Sequence, residues 1–344
     1  MATVDLTVMG AGVFGLSCAF AAARRGARVR VIDPAGPAAG ASGGIVGALA
    51  PHVPETWNAK KAFQRDSLLM SGPFWAAVEE VGGRATGYAR TGRLQPLPDD
   101  RAVALARERA RGAEALWLGQ AEWQVTEEVA GDWHPPSATG LWVRDTLTAR
   151  IHPRQATLAL AAAVTALGGE VVEQGLAEGA VLWATGHADL AEMSARHGRL
   201  VGAGIKGQAA LLDHDARDAP QLFVDGVHIV PHADGTTAIG STTERAWEVE
   251  GTDRQLESLI AQAREAVPAL RSAPVLARWA GIRPRARTRA PMLGHHPFRE
   301  GQFIANGGFK IGFGMAPKVA EVMAQLILEG TDTIPDDFRA EASL

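Results

Sequence analysis

Residues 4–33 read Val4-Asp-Leu-Thr-Val-Met9, Gly10-Ala-Gly12-Val-Phe-Gly15, a run of small residues, and Arg28-Val-Arg-Val-Ile32-Asp33. The pattern predicts a strand, a glycine turn, a helix and a second strand. Gly10 permits the tight turn, Gly12 lets the backbone approach a pyrophosphate, and Gly15 lets the helix pack closely on the strand. Phosphates would lie at the helix N-terminus, because its free N–H groups and dipole favour negative charge. The unit therefore predicts dinucleotide binding.

The second predicted strand ends in Asp33, where an acidic side chain can accept hydrogen bonds from an adenosine ribose. Pro34 follows it, and the lack of an arginine there argues against a 2′-phosphate. Residues 16–23 are apolar like a secretory signal, but the segment lacks a basic start, contains Asp5 and has glycines where an apolar core should begin. We therefore expect a cytoplasmic protein.

Composition limits the class of protein further. At 344 residues, with 47% hydrophobic and 21% charged residues, the chain is globular and large enough for two domains. The formal charge of −4 provides no basic field, so a nucleic-acid partner is not expected. Cys18 is the single cysteine, which excludes an internal disulfide and a cysteine-based metal site, and we expect no metal. No apolar run reaches about 18 residues, so we expect no membrane span.

The middle of the chain continues the α/β pattern. Residues 34–48 form a loop rich in glycine and alanine, which offers backbone N–H groups to a flat ring or a diphosphate. Apolar residues at helical spacing predict helices at 60–81 and 151–167, and residues 99–116 are typical of a charged, solvated helix. Strands are predicted at 92–98, 170–173 and 179–186, and the stretch 123–142 is loop-like.

After residue 203, short strands alternate with turn residues, which favours an antiparallel sheet. These strands are predicted at 204–212, 221–224, 227–230 and 237–240. A helix at 253–267 follows, and a glycine-rich stretch at 303–317 precedes a final helix at 317–328. The expected fold class is α/β, with an α+β second domain built on an antiparallel sheet plus helices.

Four features occur in a specific order. They are the N-terminal glycine unit, the loop Ala41-Ser42-Gly-Gly, the turn Ala184-Thr185-Gly186, and the pair Gly281-Ile-Arg283-Pro284 and Gly307-Gly308-Phe309-Lys310-Ile-Gly312. This order resembles the D-amino-acid oxidase superfamily of FAD enzymes, nearest its glycine oxidase and sarcosine oxidase branch. The resemblance runs from residue 4 to about residue 330.

The resemblance implies FAD, held without a covalent bond because no cysteine follows Arg283. It implies a Rossmann-like FAD-binding domain at residues 1–75, 146–200 and 280–344, and a substrate-binding domain at 76–145 and 201–279. Residues 308–314 would cover the pyrimidine side of the flavin, ahead of a helix N-terminus. The implied FAD-binding residues are Gly10, Gly12, Val13, Phe14, Gly15, Asp33, Pro34, Gly40, Ala41, Ser42, Val46, Gly47, Ala48, Leu176, Gly186, Gly308, Phe309, Lys310, Ile311, Gly312, Phe313 and Gly314.

The resemblance also implies three catalytic residues. Arg283 would grip the substrate carboxylate, Lys310 would add a second cation, and His228 stands where relatives often have a tyrosine. The implied reaction oxidises a small amino acid or secondary amine, of the glycine, sarcosine or D-amino-acid type, by hydride transfer to flavin N5. The imine would give a keto acid, or an aldehyde plus an amine. Oxygen as the acceptor would give H2O2, and the sequence does not choose the acceptor.

Several features depart from the family pattern. Gly307-Gly308 replaces a common Gly-His pair, and a hairpin that normally precedes the strand at residue 179 is nearly absent. Arg283, Arg285, Arg287 and Arg289 alternate, which on one strand would place all four on the same side.

Two other functions stay open at this point. Residues 40–51 and 290–294 are also similar to the oxidase domain of the tRNA wobble-uridine carboxymethylaminomethyl modification enzyme, in which the arginine-rich strand would meet RNA. The charge of −4 and the lack of a methyltransferase segment argue against it. The other alternative is an FAD subunit of a hetero-oligomeric dehydrogenase. The oligomeric state is not predicted.

Overall fold

The computed structural model describes residues 4–129 and 131–344. The strands in this part of the chain are β1 (Leu6–Met9), β2 (Val29–Ile32), β3 (Ala48–Leu49), β4 (Arg93–Pro96), β5 (Trp123–Thr126), β6 (Trp142–Asp145), β7 (Ala149–Arg150), β8 (Glu170–Val172), β9 (Ala180–Trp183), β10 (Gly202–Leu212), β11 (Gln221–Val224), β12 (Val227–Pro231), β13 (Thr237–Gly240), β14 (Val275–Ala286), β15 (Met292–His295) and β16 (Phe303–Asn306). The α-helices are α1 (Val13–Arg24), α2 (Ala59–Gly82), α3 (Asp100–Leu116), α4 (Pro153–Ala166), α5 (His187–His197), α6 (Arg254–Ala266) and α7 (Gly312–Ala324).

The first sheet has six strands in the order β15-β16-β9-β1-β2-β8. All its pairs are parallel except the β15–β16 pair. Helix α1 packs against α4 and α7, and its small side chains are buried along most of its length. The predicted Rossmann-like unit is thereby confirmed, with strand order reversing beside β1 as in doubly wound sheets.

The second sheet has eight strands in the order β14-β10-β13-β12-β11-β4-β6-β5. Its pairs are antiparallel except β11–β4, so the predicted antiparallel sheet is confirmed. Helix α6 covers one face by burying Leu256, Leu259 and Ile260, which recur at helical spacing. Strands β10 and β14 pair along nearly their whole length, from Gly202 opposite Ala286 to Leu212 opposite Val275.

The predicted helices at 60–81, 99–116, 151–167 and 253–267 are confirmed as α2, α3, α4 and α6, with ends moved by one or two residues. Local capping stabilises the start of three of them. Asn58, Asp99 and Asp253 each accept a hydrogen bond from the first turn of the helix that follows. None of the helices in the described ranges is both long enough and apolar enough to cross a membrane.

Two element predictions were wrong. The stretch 123–142 is not simply loop-like, because β5 begins in it and β6 follows; β6 pairs with β4, and β5 pairs with β6 at the edge of the second sheet. That pairing joins segments distant in sequence, which local patterns do not report. The final helix begins at Gly312 rather than Pro317, so Pro317 lies inside α7, and a short π-helix at Gln325–Glu329 continues it.

The prediction that the four alternating arginines share one strand face was also wrong. Strand β14 ends at Ala286, and Arg289 has a left-handed backbone with φ of 63°. Arg287 lies beyond the strand, where its guanidinium donates to the carbonyl oxygens of Ser343 and Leu344. The strand that the tRNA alternative would bring to RNA therefore carries only Arg283 and Arg285 of the four.

The expected domain boundaries after residues 75 and 279 fall inside α2 and β14 respectively. The boundary after residue 145 coincides with the end of β6. The chain crosses repeatedly between the two sheets, and the division into two domains stays a proposal.

Candidate functional site

A cavity of about 850 Å³ lies between the two sheets. The carboxyl ends of four strands of the first sheet form one wall, where open α/β sheets bind ligands. The residues that end or follow those strands are Met9, Ile32, Ala184 and Asn306. The second sheet contributes Ala209, Phe223, His228, Ser241, Trp279 and Arg283. The volume is in the range of small-molecule and cofactor sites.

The glycine turn and the loop at residues 40–48 meet at one end of this cavity. Oγ of Ser42 accepts a hydrogen bond of 2.9 Å from the backbone N–H of Val13, the first residue of α1. A Cβ atom at Gly12 would lie 3.2 Å from the same Oγ, so the glycine permits this approach. The loop is therefore held against the helix N-terminus, a place that favours anions.

Gly15 has the packing role that the sequence predicts. A Cβ atom there would lie 2.1 Å from the carbonyl oxygen of Gly10 and 3.1 Å from the Val8 side chain. Any larger residue would push α1 away from β1 and from the turn that opens the cavity.

Asp33 follows β2 and is the only carboxylate among the described residues that line the cavity. Its Oδ2 accepts from the N–H of Ala11 at 2.8 Å, and its Oδ1 accepts from the N–H of Ala35 at 3.0 Å. Both donors are backbone groups, so these two hydrogen bonds fix the carboxylate of Asp33 beside the glycine turn.

Most of the residues implied as FAD-binding line this cavity. They are Gly10, Gly12, Val13, Phe14, Asp33, Pro34, Gly40, Ala41, Ser42, Val46, Gly47, Ala48, Gly186, Gly308, Phe309, Lys310, Gly312, Phe313 and Gly314. Three lie outside the lining: Gly15 packs behind the turn, Ile311 precedes α7, and Leu176 is 77% exposed in the loop before β9.

Arg283, on β14, lines the end of the cavity to which the second sheet contributes and is only 8% exposed. Its Nη2 donates to Oγ of Ser241 at 3.0 Å and to the carbonyl oxygen of Thr242 at 2.9 Å. Burial lowers the pKa of the guanidinium to about 10 against the opposing effect of Glu244, so it stays charged at neutral pH. Within the described residues no carboxylate forms an ion pair with it.

Lys310 lines the same end of the cavity. Its Nζ donates to Oγ1 of Thr243 at 2.7 Å. Burial, and then the charge of Arg283, lower the pKa of this lysine. The segment 241–243 therefore holds both predicted cations, one from β14 and one from the loop before α7.

His228, on β12, lies beside these cations with its ring 4.6 Å from that of Phe223. Burial lowers its pKa to about 3, and the charges of Arg93 and Lys310 act in the same direction. The imidazole is therefore neutral, and its buried Nδ1 has no hydrogen-bond partner in the described chain. Arg283, Lys310 and His228 are thus brought to one place.

Sequence reasoning missed several residues of this end. Gly207 on β10 faces the Arg283 guanidinium, and Trp279 on β14 forms part of the cavity wall. A Cβ atom at Gly281 would lie 2.3 Å from the Trp279 ring, and one at Gly44 would lie 3.4 Å from it. A signal for Trp279 existed, because it stands four residues before Arg283, a spacing that places both side chains on one face of a strand. Gly207 had no such signal.

Comparison with known protein families gives a match over most of the chain. The sequence profile of the family described as DAO, FAD dependent oxidoreductase, matches residues 5–326.

Individual relatives agree with that match. A glycine oxidase of Pseudomonas putida is 34% identical over 134 residues, which cover 38% of this chain and 36% of that protein. The bifunctional protein ThiO/ThiG of Nostoc sp. is 28% identical over 95% of this chain and 53% of its own length. The matched regions therefore span about a third to a half of these relatives. In fold, the glycine oxidase of Geobacillus kaustophilus superposes with a TM-score of 0.85 at 22% identity, covering 98% of both chains.

Proposed function

Since the chain belongs to the family of FAD-dependent oxidoreductases, we propose that it oxidises a small amine that carries a carboxylate, at the carbon bonded to nitrogen. The substrate is of the glycine, sarcosine or D-amino-acid type. Relatives named glycine oxidase support this substrate class. With water, the product imine hydrolyses to a keto acid plus ammonia or an amine, or to an aldehyde plus an amine.

The first wall of the cavity fits FAD. Asp33 would accept hydrogen bonds from the adenosine ribose, and the N-terminus of α1 with the loop at 40–48 would hold the diphosphate. A side chain at Gly40 or Gly186 would project into open space, so the backbone there faces the cavity. When bound, FAD supplies the acceptor for the two electrons and the hydrogen removed from the substrate carbon.

The first turn of α7 lies at the cavity as well, with Gly312, Phe313 and Gly314 in its wall. A helix N-terminus there would stabilise negative charge on the pyrimidine side of the flavin. No covalent link is expected, because Cys18, the single cysteine, is buried inside α1.

The observation that carries the proposal is the state of Arg283. It is buried and charged, and only its Nη2 is used by hydrogen bonds to the described chain. Its Nη1 forms no hydrogen bond to the described chain, so it can donate to a substrate carboxylate, for which a charged, planar guanidinium is suited. A carboxylate bound here would be held by this donor and by the positive charge, which restricts the orientation of the adjacent carbon.

The amine of the substrate would lie among groups that favour its neutral form. Arg283 and Lys310 are cations, and nearby positive charge disfavours an ammonium group. His228 is neutral and can share a hydrogen bond with the amine. The neutral amine keeps the lone pair that oxidation at carbon requires, so no strong base is needed.

Anaerobic mixing of the FAD-loaded enzyme with glycine, sarcosine, D-alanine and proline tests this function. We expect at least one of them to bleach the flavin absorbance within seconds to minutes. Admission of air and measurement of H2O2 then show whether oxygen is the acceptor. If none of these amines bleaches the flavin at millimolar concentration, the proposed substrate class is wrong.

A further inference from the structure

A buried carboxylate lies directly after the segment that holds the two cations. Glu244 is 6% exposed, and its Oε1 accepts from Nε2 of Gln208 at 2.9 Å and from Oγ1 of Thr242. Its other oxygen, Oε2, has no partner in the described chain apart from an ammonium group 3.2 Å away.

The charge that faces Oε2 is the ammonium group of Lys206. This lysine on β10 is fully buried, with Nζ 3.2 Å from Oε2 of Glu244 and 2.9 Å from Oδ2 of Asp253. Burial alone would lower its pKa, but the bonds to Asp253 and Glu244 outweigh burial and raise it. The backbones of residues 206 and 244 also exchange two hydrogen bonds, of 2.9 and 3.0 Å. The lysine thus stays charged and fixed.

Arg283 is the next cation beside this carboxylate. Its guanidinium packs on the backbone of Gly207, the residue after Lys206, and bonds to Thr242, two residues before Glu244. Glu244 is the one carboxylate in the described chain whose charge raises the pKa of Arg283. Even so, the two side chains form no ion pair in the described chain, and Oε2 of Glu244 pairs with Lys206.

Removal of one partner from a buried ion pair leaves an uncompensated charge that seeks another partner. Without Lys206, the free oxygen of Glu244 would attract the Arg283 guanidinium, and a substrate carboxylate would have to compete with it. We propose that Lys206 is a positioning residue that, by holding Glu244, keeps Arg283 free to bind the substrate carboxylate. The inference rests on the proposed function, in which Arg283 performs that binding.

The test is the binding of acetate to the FAD-loaded enzyme. Binding is measured from the change in flavin absorbance and by calorimetry. Lys206→Met should raise the Kd for acetate about tenfold or more, a typical coupling between charged neighbours. Lys206→Met combined with Glu244→Gln should return the Kd to within about threefold of the wild type, because the competing charge is gone. When the substrate is an amine that the enzyme oxidises, Lys206→Met should change KM far more than kcat, and the double variant should restore KM.

Lys318→Met is the matched control, because Lys318 also pairs with a carboxylate, Asp66, but does not line the cavity. It should leave acetate binding unchanged. If Lys206→Met does not yield folded holoenzyme, Lys206→Gln removes the charge and keeps a hydrogen-bond donor, and the same order of affinities is expected.

Two results overturn the inference alone: acetate binds to Lys206→Met as to the wild type, or the Glu244→Gln substitution fails to restore binding in the double variant. The second result would indicate that Lys206 acts only on stability. If the wild type itself binds no acetate, or Arg283→Ala binds it equally well, then the carboxylate role of Arg283 is wrong and the inference falls with it.

Discussion

A Cβ atom on Gly207 would lie 1.2 Å from Nη2 of Arg283. The glycine on β10 therefore provides the space that the guanidinium from β14 occupies. In the antiparallel pair of β10 and β14, Gly207 lies opposite Gly281, and Gly281 stands two residues before Arg283. The orientation of the proposed carboxylate-binding group thus depends on a missing side chain on the neighbouring strand.

Gly207→Ala should displace the guanidinium without affecting the FAD end of the cavity. Because the overlap involves the arginine head group, kcat/KM for the best amine should fall at least about tenfold. FAD content should stay at the wild-type level. Steady-state kinetics and the flavin-to-protein absorbance ratio measure both quantities.

Gly72→Ala is the control for this substitution, since a Cβ atom on Gly72 in α2 would meet nothing within 4 Å. It should leave kcat/KM unchanged and add up to about 1 kcal/mol to the free energy of unfolding, as expected for alanine in a helix. Equal activity of Gly207→Ala and Gly72→Ala would contradict the packing argument.

Asp33→Ala should weaken FAD binding by about 10- to 100-fold, because a charged acceptor for ribose hydroxyls is lost. Asp33→Asn retains acceptor capacity and should lose less. Asp5→Ala is the control, because the Asp5 carboxylate lies near the same strand–helix–strand unit but pairs with Arg28 outside the cavity. This variant should bind FAD as the wild type does. Titration of the apoprotein with FAD, followed by flavin fluorescence, measures the Kd. Wild-type affinity in Asp33→Ala would remove Asp33 from the cofactor site.

His232 should make the protein less stable in acid. Burial, and then the charge of His152, lower its pKa from 6.5 to about 4, while Nε2 donates to the carbonyl oxygen of Ile45 at 2.8 Å. Below about pH 6.5 the unfolded chain gains a proton that the native protein excludes, so the free energy of unfolding falls as the pH falls towards 4. This residue alone accounts for about 2 kcal/mol of loss at pH 5 relative to neutral pH.

His232→Gln keeps an N–H donor for Ile45 but does not titrate. Urea unfolding at pH 7 and pH 5, with FAD in constant excess, gives the loss of stability for each protein. The variant should lose about 2 kcal/mol less than the wild type between these two values. An identical loss in both proteins would show that His232 is not the group responsible.

The end of the cavity where we propose that FAD binds was largely predictable because its determinants are local. Gly10, Gly12, Gly15 and Asp33 lie within one strand–helix–strand unit, and each has a conformational or chemical reason that the sequence displays. The capped helices α2, α3 and α6 were predictable for the same reason.

The substrate end was predictable only in part. The resemblance predicted Arg283 and Lys310 as site residues, but it did not predict that the segment 241–243 holds them. The hydrogen bonds from that segment to the two cations join residues 42, 41 and 67 positions apart in the sequence. The network around Glu244 likewise depends on the pairing of β10 with residues near 244. Contacts of this kind are set by tertiary packing and leave no periodic signal in the sequence.

Arg283 holds the substrate carboxylate in the proposed reaction, and paired substrates test this role most directly. The rate of anaerobic flavin reduction by glycine is compared with the rate of reduction by methylamine in the wild type, in Arg283→Ala and in Arg278→Ala. Arg278→Ala is the control, because Arg278 lies on the same strand but pairs with Glu257. The wild type and Arg278→Ala should prefer glycine by more than about a hundredfold, and Arg283→Ala should lose that preference. A preference for glycine that survives in Arg283→Ala would contradict the account.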